Sequence, residues 1–355
     1  MGLTRLSLRD FRCFEYAELT LSPGINLIRG ANASGKTSVL EAAFLLGRGR
    51  SFRSAHLDPI SRFNSAGFQV VGQLSTPAPT TIGLARTQGQ LQVRLNGRPA
   101  SGLAELAETF PVQIMDSQTH LLVGGGPRHR RQFLDWGVFH VEPAFFPVWR
   151  RYQRALRQRN ALLRIGRPER EVHGWDAELI LAGEQLDGFR RRYLDRFSET
   201  ATHWAGQALD GLAIQLDYHP GWAAGQTLAE SLSAGHVRDR QQGGTQSGPH
   251  RADLHIRVEG RPARERISRG QEKALAGTLL LAQTAIHGEL TGRQSLLLLD
   301  DLPSELDPAF LARFVAQVQA TRAQTILTAI DPGAVLRLTE ARVFHVEQGK
   351  IAQMI

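Results

Sequence analysis

Cysteine is almost absent from this chain. Cys13 is the single one among 355 residues, which excludes an internal disulfide and fits a reducing compartment. Long apolar runs are missing too. No stretch approaches the roughly 18 consecutive apolar residues of a membrane-spanning helix, and the opening MGLTRLSLRDF lacks the apolar core of a signal peptide. Membrane and secreted classes are thereby disfavoured, and a cytoplasmic location is expected. The chain has no internal repeat, no long low-complexity tract and no Cys/His cluster of the kind that holds zinc. Lysine is scarce as well: Lys36, Lys273 and Lys350 are the only lysines, and every other basic residue is Arg. Where a chain so committed to Arg retains Lys, a compact ammonium is called for.

What is present is a chain 42% apolar, enough for one large core or two moderate ones. Its formal net charge is +8 at pH 7. Such an excess favours a polyanionic partner, because clustered cations release condensed counterions when they meet phosphate.

One retained lysine sits in INLIRGANASGKTSVLEAAFLL. Ile25 to Ile28 reads as a short strand and Thr37 to Leu46 as an amphipathic helix. Between them, Gly30-Ala31-Asn32-Ala33-Ser34-Gly35-Lys36-Thr37 matches G-x-x-x-x-G-K-[ST] in the strand–turn–helix setting that motif requires. The two glycines let the backbone curl so that successive N–H groups point inward at phosphate oxygens. Lys36 is expected to reach the β- and γ-phosphates, where Arg would be too long and too wide. The Thr37 hydroxyl is expected to ligate Mg²⁺. Gly30 through Ser38 are thus the candidate nucleotide-binding residues, with ATP and Mg²⁺ as cofactors.

The C-terminal half supplies complementary parts. In SLLLLDDLPSELD, Leu296 to Leu299 has the pattern of a buried parallel strand, whose carboxyl end carries Asp300-Asp301. Asp300 is placed to hold Mg²⁺ through water, and Asp301 to polarise the attacking water. Upstream, Ser268-Arg269-Gly270-Gln271 opens a helix bearing Ala274, Leu275, Leu279, Leu280 and Leu281. Ser268 is a natural N-cap. Gly270 leaves neighbouring backbone N–H groups bare, and such groups at a helix start attract an anion.

The order of these parts resembles that of ABC-type ATPase heads. The resemblance implies that Ser268, Arg269, Gly270 and Gln271 are a signature turn for the γ-phosphate held by a second subunit. ATP then joins an isologous homodimer with two composite sites. SELD, from Ser304 to Asp307, falls where such heads touch the opposite subunit, which adds Asp307 to the residues acting in trans. TILTAID, from Thr325 to Asp331, supplies the next strand, ending at Thr328 where many such ATPases carry a switch histidine. That missing histidine, together with Asp301 where transporter heads usually have Glu, implies slow hydrolysis. After the strand VQIM, Gln118 stands where other heads use a Gln to sense Mg²⁺, which makes it a candidate for catalysis beside Lys36 and Asp301.

Between the two halves lies a helical pair. Phe145, Trp149, Tyr152, Leu156 and Leu163 recur largely at helical steps, as do Leu186, Phe189, Tyr193 and Phe197, with RIGRPEREVHGWD between the sets. A short antiparallel helical-hairpin arm is expected, far too short for the coiled coil of chromosome-maintenance ATPases. Its first helix and exit carry Arg150, Arg151, Arg154, Arg157, Arg159, Arg164 and Arg167; the second carries Arg190, Arg191, Arg192 and Arg196. Acids are scarce among the first seven, so these charges are expected to lack local partners and to offer a surface for a phosphate backbone.

LSLRDFRCFEYAEL, GANASGKTSVLEA, GGGPRHRRQFLDWGVFH, SGPHRADL, SRGQEKALA and LLLLDDLPSELD together resemble the RecF family of bacterial recombination mediators along nearly the whole chain. GPRHRRQFLDW (Gly126 to Trp136) and GPHRADL (Gly248 to Leu254) are particularly specific, since general ABC heads lack them. The resemblance implies a cytoplasmic, nucleoid-associated ATPase that binds single- and double-stranded DNA at gap junctions as an ATP-dependent dimer. It also implies RecO and RecR as partners, RecA loading, recombinational repair and the SOS response, with slow, DNA-stimulated hydrolysis. By the same resemblance Arg12 in DFRCF contacts phosphate or nucleobase. Arg128, Arg130 and Arg131 join Arg150, Arg151, Arg154 and Arg157 as candidate DNA contacts. The sequence departs from the family after VQIM, where Asp116-Ser117-Gln118 replaces a common Pro and acidic residue.

The expected architecture is α/β: an ABC-type ATPase head, with a P-loop and a mixed sheet with antiparallel β subdomain, plus a mainly helical lobe bearing the arm. Residues 1–119 and 247–355 form the two parts of the ATPase domain, and 120–246 the lobe. GQLQVRLNGRPA reads as a hairpin turning at Asn96-Gly97. Two rival classes are a transporter or translation-type ABC ATPase and a nucleotide-dependent scaffold with negligible turnover. SRGQ in place of LSGGQ and the Arg-rich insert speak against the first.

Overall fold

An N-terminal hairpin joins β1 (Gly2–Phe11) to β2 (Phe14–Thr20) in the computed structural model, which describes residues 2–76, 78–301 and 307–354. Leu6 and Leu8 face inward while Arg5 and Arg9 face solvent, the period-two alternation of a sheet covered on one side. After β3 (Ile25–Arg29) and α1 (Lys36–Arg48) come β4 (Gly67–Ser75), β5 (Thr80–Thr87), β6 (Gln90–Leu95) and β7 (Arg98–Pro99). With the hairpin these four make an antiparallel sheet of order β2-β1-β4-β5-β6-β7. Asn96 and Gly97 both take positive φ between β6 and β7, the geometry that Asn-Gly adopts in a two-residue hairpin turn. Then α2 (Leu103–Thr109) leads into β8 (Val112–Met115).

Residues 120–276 form a second unit, while those up to 119 and from 277 onward form the first. The second unit runs through α3 (Leu121–Gly124), α4 (Pro127–Val141), α5 (Phe145–Arg164), α6 (Glu169–His173) and α7 (Asp176–Ala208). It continues through β9 (Ile214–His219), α8 (Leu228–Gln242), β10 (Asp253–Val258), β11 (Arg261–Pro262), α9 (Ala263–Arg266) and the start of α10 (Arg269–Thr291). Helices α5 and α7 are antiparallel: Phe145 meets Phe189, whereas Arg159 meets Asp176. Tyr152, Leu156 and Leu163 on α5 and Leu186, Tyr193 and Phe197 on α7 are buried, which is the stripe their spacing describes. The unit extends beyond the return to the core expected at residue 247 and ends at 276. The reason is strand pairing: β10 runs antiparallel to β9 from Asp253↔His219 to Val258↔Ile214, so the chain cannot leave this unit before that sheet is complete.

The chain then contributes β12 (Leu296–Leu299), α11 (Pro308–Ala320), β13 (Gln324–Ala329), α12 (Gly333–Leu336), β14 (Arg342–Glu347) and β15 (Lys350–Gln353) to the first unit. The central sheet has the order β15-β14-β3-β13-β12-β8, parallel throughout except for β15. Every residue of β12 and β13 is buried, as expected of parallel strands covered on both faces. Helix α1 packs against strands of both sheets and is buried over most of its surface, joining one core with Leu6, Phe14, Val70, Leu298 and Phe344. The α/β head with an antiparallel subdomain and a mainly helical lobe is therefore the architecture found. Among the described residues no helix is long and apolar enough to cross a membrane.

Candidate functional site

The carboxyl ends of β3, β12 and β13 lie side by side in the parallel sheet. The loop from Gly30 to Gly35 leaves β3 and enters α1. Gly30 has φ 158° and Gly35 φ 118°, with Ala33 between them at φ 62°. A Cβ at Gly30 would stand 2.4 Å from the Val346 carbonyl, and one at Gly35 would stand 2.7 Å from Cys13 Sγ. Only glycine fits this curl, for reasons of both conformation and space. Lys36 is buried, and its ammonium donates to the carbonyls of Gly30 (2.8 Å) and Ala31 (2.9 Å), closing the loop around itself. Helix α1 begins with no side-chain cap and no acid in its first turn, so nothing there opposes the attraction of its N-terminal end for an anion.

Across the loop, Thr37 Oγ1 donates to Asp300 Oδ1 over 2.9 Å. The same carboxylate oxygen accepts from Thr328 Oγ1, also at 2.9 Å, and Thr328 Oγ1 accepts from the Asp301 N–H at 2.7 Å. One hydroxyl thus positions both acids of the Asp-Asp pair. Asp301 takes φ 51°, a left-handed conformation that Asp tolerates better than most residues. The donor set fits a magnesium-bound nucleoside triphosphate: a glycine-lined curl for the phosphates, a buried ammonium, and hydroxyl and carboxylate oxygens for a hard cation. An open depression of about 730 Å³ is lined by Asn32, Ala33, Gly35, Lys36, Thr37 and Ser38. Asp300 and Asp301, with Arg12, Cys13, Arg53, Pro59, Ser61 and Phe63, complete its wall.

Gln118 is exposed and is not among the residues lining that depression. Its backbone N–H instead donates to Asp116 Oδ1 at 2.9 Å. Asp116 follows directly on β8, whose last residue, Met115, accepts from the Asp300 N–H at 2.9 Å through its carbonyl. Burial pushes the Asp116 carboxyl above the usual aspartate value, and the charge of Asp300 adds to the push.

Arg12 reaches the rim, but most of its guanidinium is engaged within the chain. It grips the fully buried Glu41 through two bonds of 2.7 and 2.6 Å and donates to the Pro59 carbonyl at 2.7 Å. Glu41 also accepts from Ser51 and pairs with Arg53 at 3.7 Å. Spacing along the chain gave no sign of this buried carboxylate, which sits within the apolar pattern of α1.

Ser268, Arg269, Gly270 and Gln271 are all exposed in the second unit. Ser268 and Gln271 cap α10 reciprocally: the Ser268 N–H donates to Gln271 Oε1 at 3.0 Å and the Gln271 N–H to Ser268 Oγ at 3.3 Å. Gly270 faces open space, with Ser268 Oγ as the nearest neighbour to an added Cβ at 3.9 Å. Asp307 is the N-cap of α11, accepting from the Phe310 N–H at 2.9 Å. The rest of SELD, residues 304–306, lies outside the described residues.

The arginines of the helical unit divide in two, which corrects the expectation that they lack local partners. Arg159 is buried between Asp176 (2.7 Å) and Asp239 (2.6 Å), and Arg190 is buried against Asp135 at 2.8 Å. Arg151 holds Glu178, Arg167 holds Glu171, Arg191 holds Asp187 and Arg192 holds Glu142. Arg167–Glu171 and Arg191–Asp187 are pairs four residues apart, whereas the other acids come from 17 to 80 residues away in the chain. Arg130 forms a bidentate pair with Asp253, and Arg131 donates to the Ala252 carbonyl. Arg150, Arg154, Arg157 and Arg128 are exposed. The first three follow one face of α5 at steps of four and three residues.

The family model described as RecF/RecN/SMC N terminal domain matches residues 2–352. The DNA replication and repair protein RecF of Pseudomonas aeruginosa (strain LESB58) is 42% identical over 361 residues, spanning 99% of this chain and 98% of that protein. The protein of the same name from Shewanella baltica (strain OS155) is 40% identical over 99% of each. The solved structure of the recombination mediator protein RecF-ATPrS in the RecFOR pathway has a TM-score of 0.88 at 25% identity, covering 100% of this chain and 98% of that one. An SMC head bound to the C-winged helix domain of ScpA has a TM-score of 0.63 at 15% identity over 100% and 98% of the two chains, a likeness of fold. By family model, full-length relatives and architecture, this chain belongs to the RecF family of ABC-type ATPases.

Proposed function

We propose that this chain is a DNA replication and repair ATPase whose ATP-dependent homodimer binds single- and double-stranded DNA at gaps. The observation that carries the reading is the bonding of Thr37 and Thr328 to one oxygen of Asp300 beside the glycine-lined loop. That arrangement brings a phosphate cradle and a cation-binding acid together from opposite ends of the chain. In this reading the loop and Lys36 bind the phosphates, Thr37 and Asp300 hold Mg²⁺, and Asp301 orients the attacking water. The exposed turn from Ser268 to Gln271 receives the partner subunit's γ-phosphate, and Asp307 touches the partner. The absence of a histidine at Thr328 and the shorter Asp301 favour slow turnover, reset by DNA. Arg150, Arg154, Arg157 and Arg128 offer cations to the phosphate backbone. In the same reading RecO and RecR are its partners, RecA loading is its task, and its location is cytoplasmic and nucleoid-associated; membership of the family supports these assignments.

The test is molecular mass in solution without nucleotide, with ADP and with ATP, each with and without a short gapped DNA. A monomer that becomes a dimer only with ATP, and holds DNA best in that state, is the expected result. Ser268→Arg should leave ATP binding to the monomer intact while preventing the dimer. A mass indifferent to ATP would remove the composite site and leave a nucleotide-dependent scaffold.

A further inference from the structure

Phe63 is 87% exposed, the highest value for any large apolar side chain among the described residues. It is also the only aromatic ring among those lining the depression that Lys36, Thr37 and Asp300 share. An exposed phenylalanine in a loose loop would mean little. This one stands on a braced turn. Before it, Ser61 bridges to Phe11, and the Arg62 N–H donates to the Asp10 carbonyl at 2.8 Å. The Arg62 side chain reaches Asp10 at 3.3 Å and Glu15 at 3.0 Å. After it, Asn64 takes φ 62°, the Ser65 N–H donates to the Arg62 carbonyl at 3.0 Å, and Ser65 Oγ bonds the carbonyls of Arg62 and Gly67. Both flanks of Phe63 are therefore fixed while its ring projects from the turn.

The rest of the wall divides by chemistry. Lys36, Thr37, Asp300 and Asp301 make the phosphate and cation end. Arg12, Arg53, Pro59, Ser61 and Phe63 make the other, where the only charges are two guanidiniums already turned toward Glu41. A nucleotide whose phosphates occupy the glycine-lined loop must place its base outside that loop. A base offers a flat π-face, and a fixed aromatic ring is the partner that a flat π-face recognises.

We propose that Phe63 is the platform on which the base of the bound nucleotide stacks, and that it gives the site a preference for purine over pyrimidine nucleotides. This rests on the nucleotide reading of the loop and names which part of the ligand Phe63 reads. Stacking grows with the area of overlap, so the two-ring bases gain more than the one-ring bases. The contact uses no hydrogen bond to a base edge, so adenine and guanine are separated little by Phe63 itself.

The experiment is calorimetric titration of Mg²⁺-ADP, Mg²⁺-CDP and Mg²⁺-pyrophosphate into the full chain and its Phe63→Ala and Phe63→Trp variants. The diphosphates lack the γ-phosphate on which the composite dimer depends, which keeps the measurement on one chain. The expected result is tighter binding of ADP than CDP by the parent. Phe63→Ala should weaken ADP about tenfold, leave pyrophosphate unchanged and abolish the ADP-over-CDP preference, while Phe63→Trp retains it. ADP affinity unchanged in Phe63→Ala overturns the proposal. So does an equal loss for ADP and pyrophosphate, which would make Phe63 a brace for the loop. A parent that binds neither ADP nor pyrophosphate would instead bring down the nucleotide reading on which the platform depends.

Discussion

Thr328 Oγ1 lies 2.9 Å from Asp300 Oδ1 and bonds it, while taking the Asp301 N–H at 2.7 Å. A single buried hydroxyl at the end of β13 thereby sets the position of both acids at the end of β12. Thr328→Val keeps the shape and removes the hydroxyl. The expected outcome is a loss of about 1–3 kcal/mol in stability and a rise in the Mg²⁺ concentration needed for turnover. Thr328→Ser should restore both. Urea unfolding and Mg²⁺ titration of ATPase rate measure this, and an unaltered Mg²⁺ requirement in Thr328→Val would leave Thr328 with a packing role only.

The pair between Arg12 and the fully buried Glu41 makes a prediction about stability. Removing one partner of a buried pair leaves an uncompensated charge, at about 3–5 kcal/mol when both are deeply buried. Arg12 keeps 18% of its side chain exposed, so a smaller loss, about 2 kcal/mol, is expected for Glu41→Ala in urea unfolding. The variant should also weaken nucleotide binding, because Arg12 and Arg53 would lose the anchor that holds them at the rim. Wild-type stability in Glu41→Ala would contradict the role assigned to the pair.

Arg150, Arg154 and Arg157 share one exposed face of α5, whereas Arg151 beside them is paired with Glu178. Replacing the three by Glu should weaken DNA binding and flatten its dependence on salt, by up to about one unit of log–log slope for each lost phosphate contact. Arg151→Ala should do far less. Affinity and slope measured between low and moderate salt separate the two. An unchanged slope in the triple variant would move the DNA surface elsewhere, Arg128 being the next exposed candidate.

His250 supplies a pH dependence. Its Nε2 lies 2.9 Å from the Thr245 carbonyl and therefore donates, which leaves Nδ1 to accept from the Tyr152 hydroxyl at 2.6 Å. The neutral ring is satisfied on both sides, and burial lowers its pKa to about 4. Unfolding returns it to the usual value near 6.5, so between those limits the unfolded chain binds the extra proton. Stability from this group is complete above about pH 6.5 and is lost as pH falls toward 4, by on the order of 3 kcal/mol. Burial also pushes His287 in the other unit down to about 4, with the same sign. Unfolding free energy followed from pH 7.5 to 5 should fall, and His250→Gln should flatten part of that fall. An identical slope in the variant would assign the dependence to other groups.

Much of the site is legible locally. Gly30, Gly35, Lys36 and Thr37 declare themselves by spacing, because a phosphate loop needs its curl, its ammonium and its hydroxyl within a few consecutive residues. The four leucines before Asp300 likewise announce a strand buried on both faces, and Asn96-Gly97 announces its turn. These features depend on φ/ψ preference and on the period of burial, which neighbouring residues set among themselves.

Other features become visible only when distant segments pack. Arg159 and Arg190 look like members of a free basic run, yet the fold buries both against Asp176, Asp239 and Asp135. Glu41 lies within an apolar helix and becomes the anchor of Arg12, while residues 247–276 stay with the helical unit because β10 pairs with β9. The sequence by itself determined the glycine-lined loop with its ammonium and hydroxyl, the strand that ends in the two acids, and the type of each long element. Tertiary structure decided which cations remain exposed, which hydroxyl orients the acids and where the second unit ends. The division has a physical reason: backbone conformation and burial period are short-range properties, whereas a charge or hydroxyl finds its partner only after the chain has folded back upon itself.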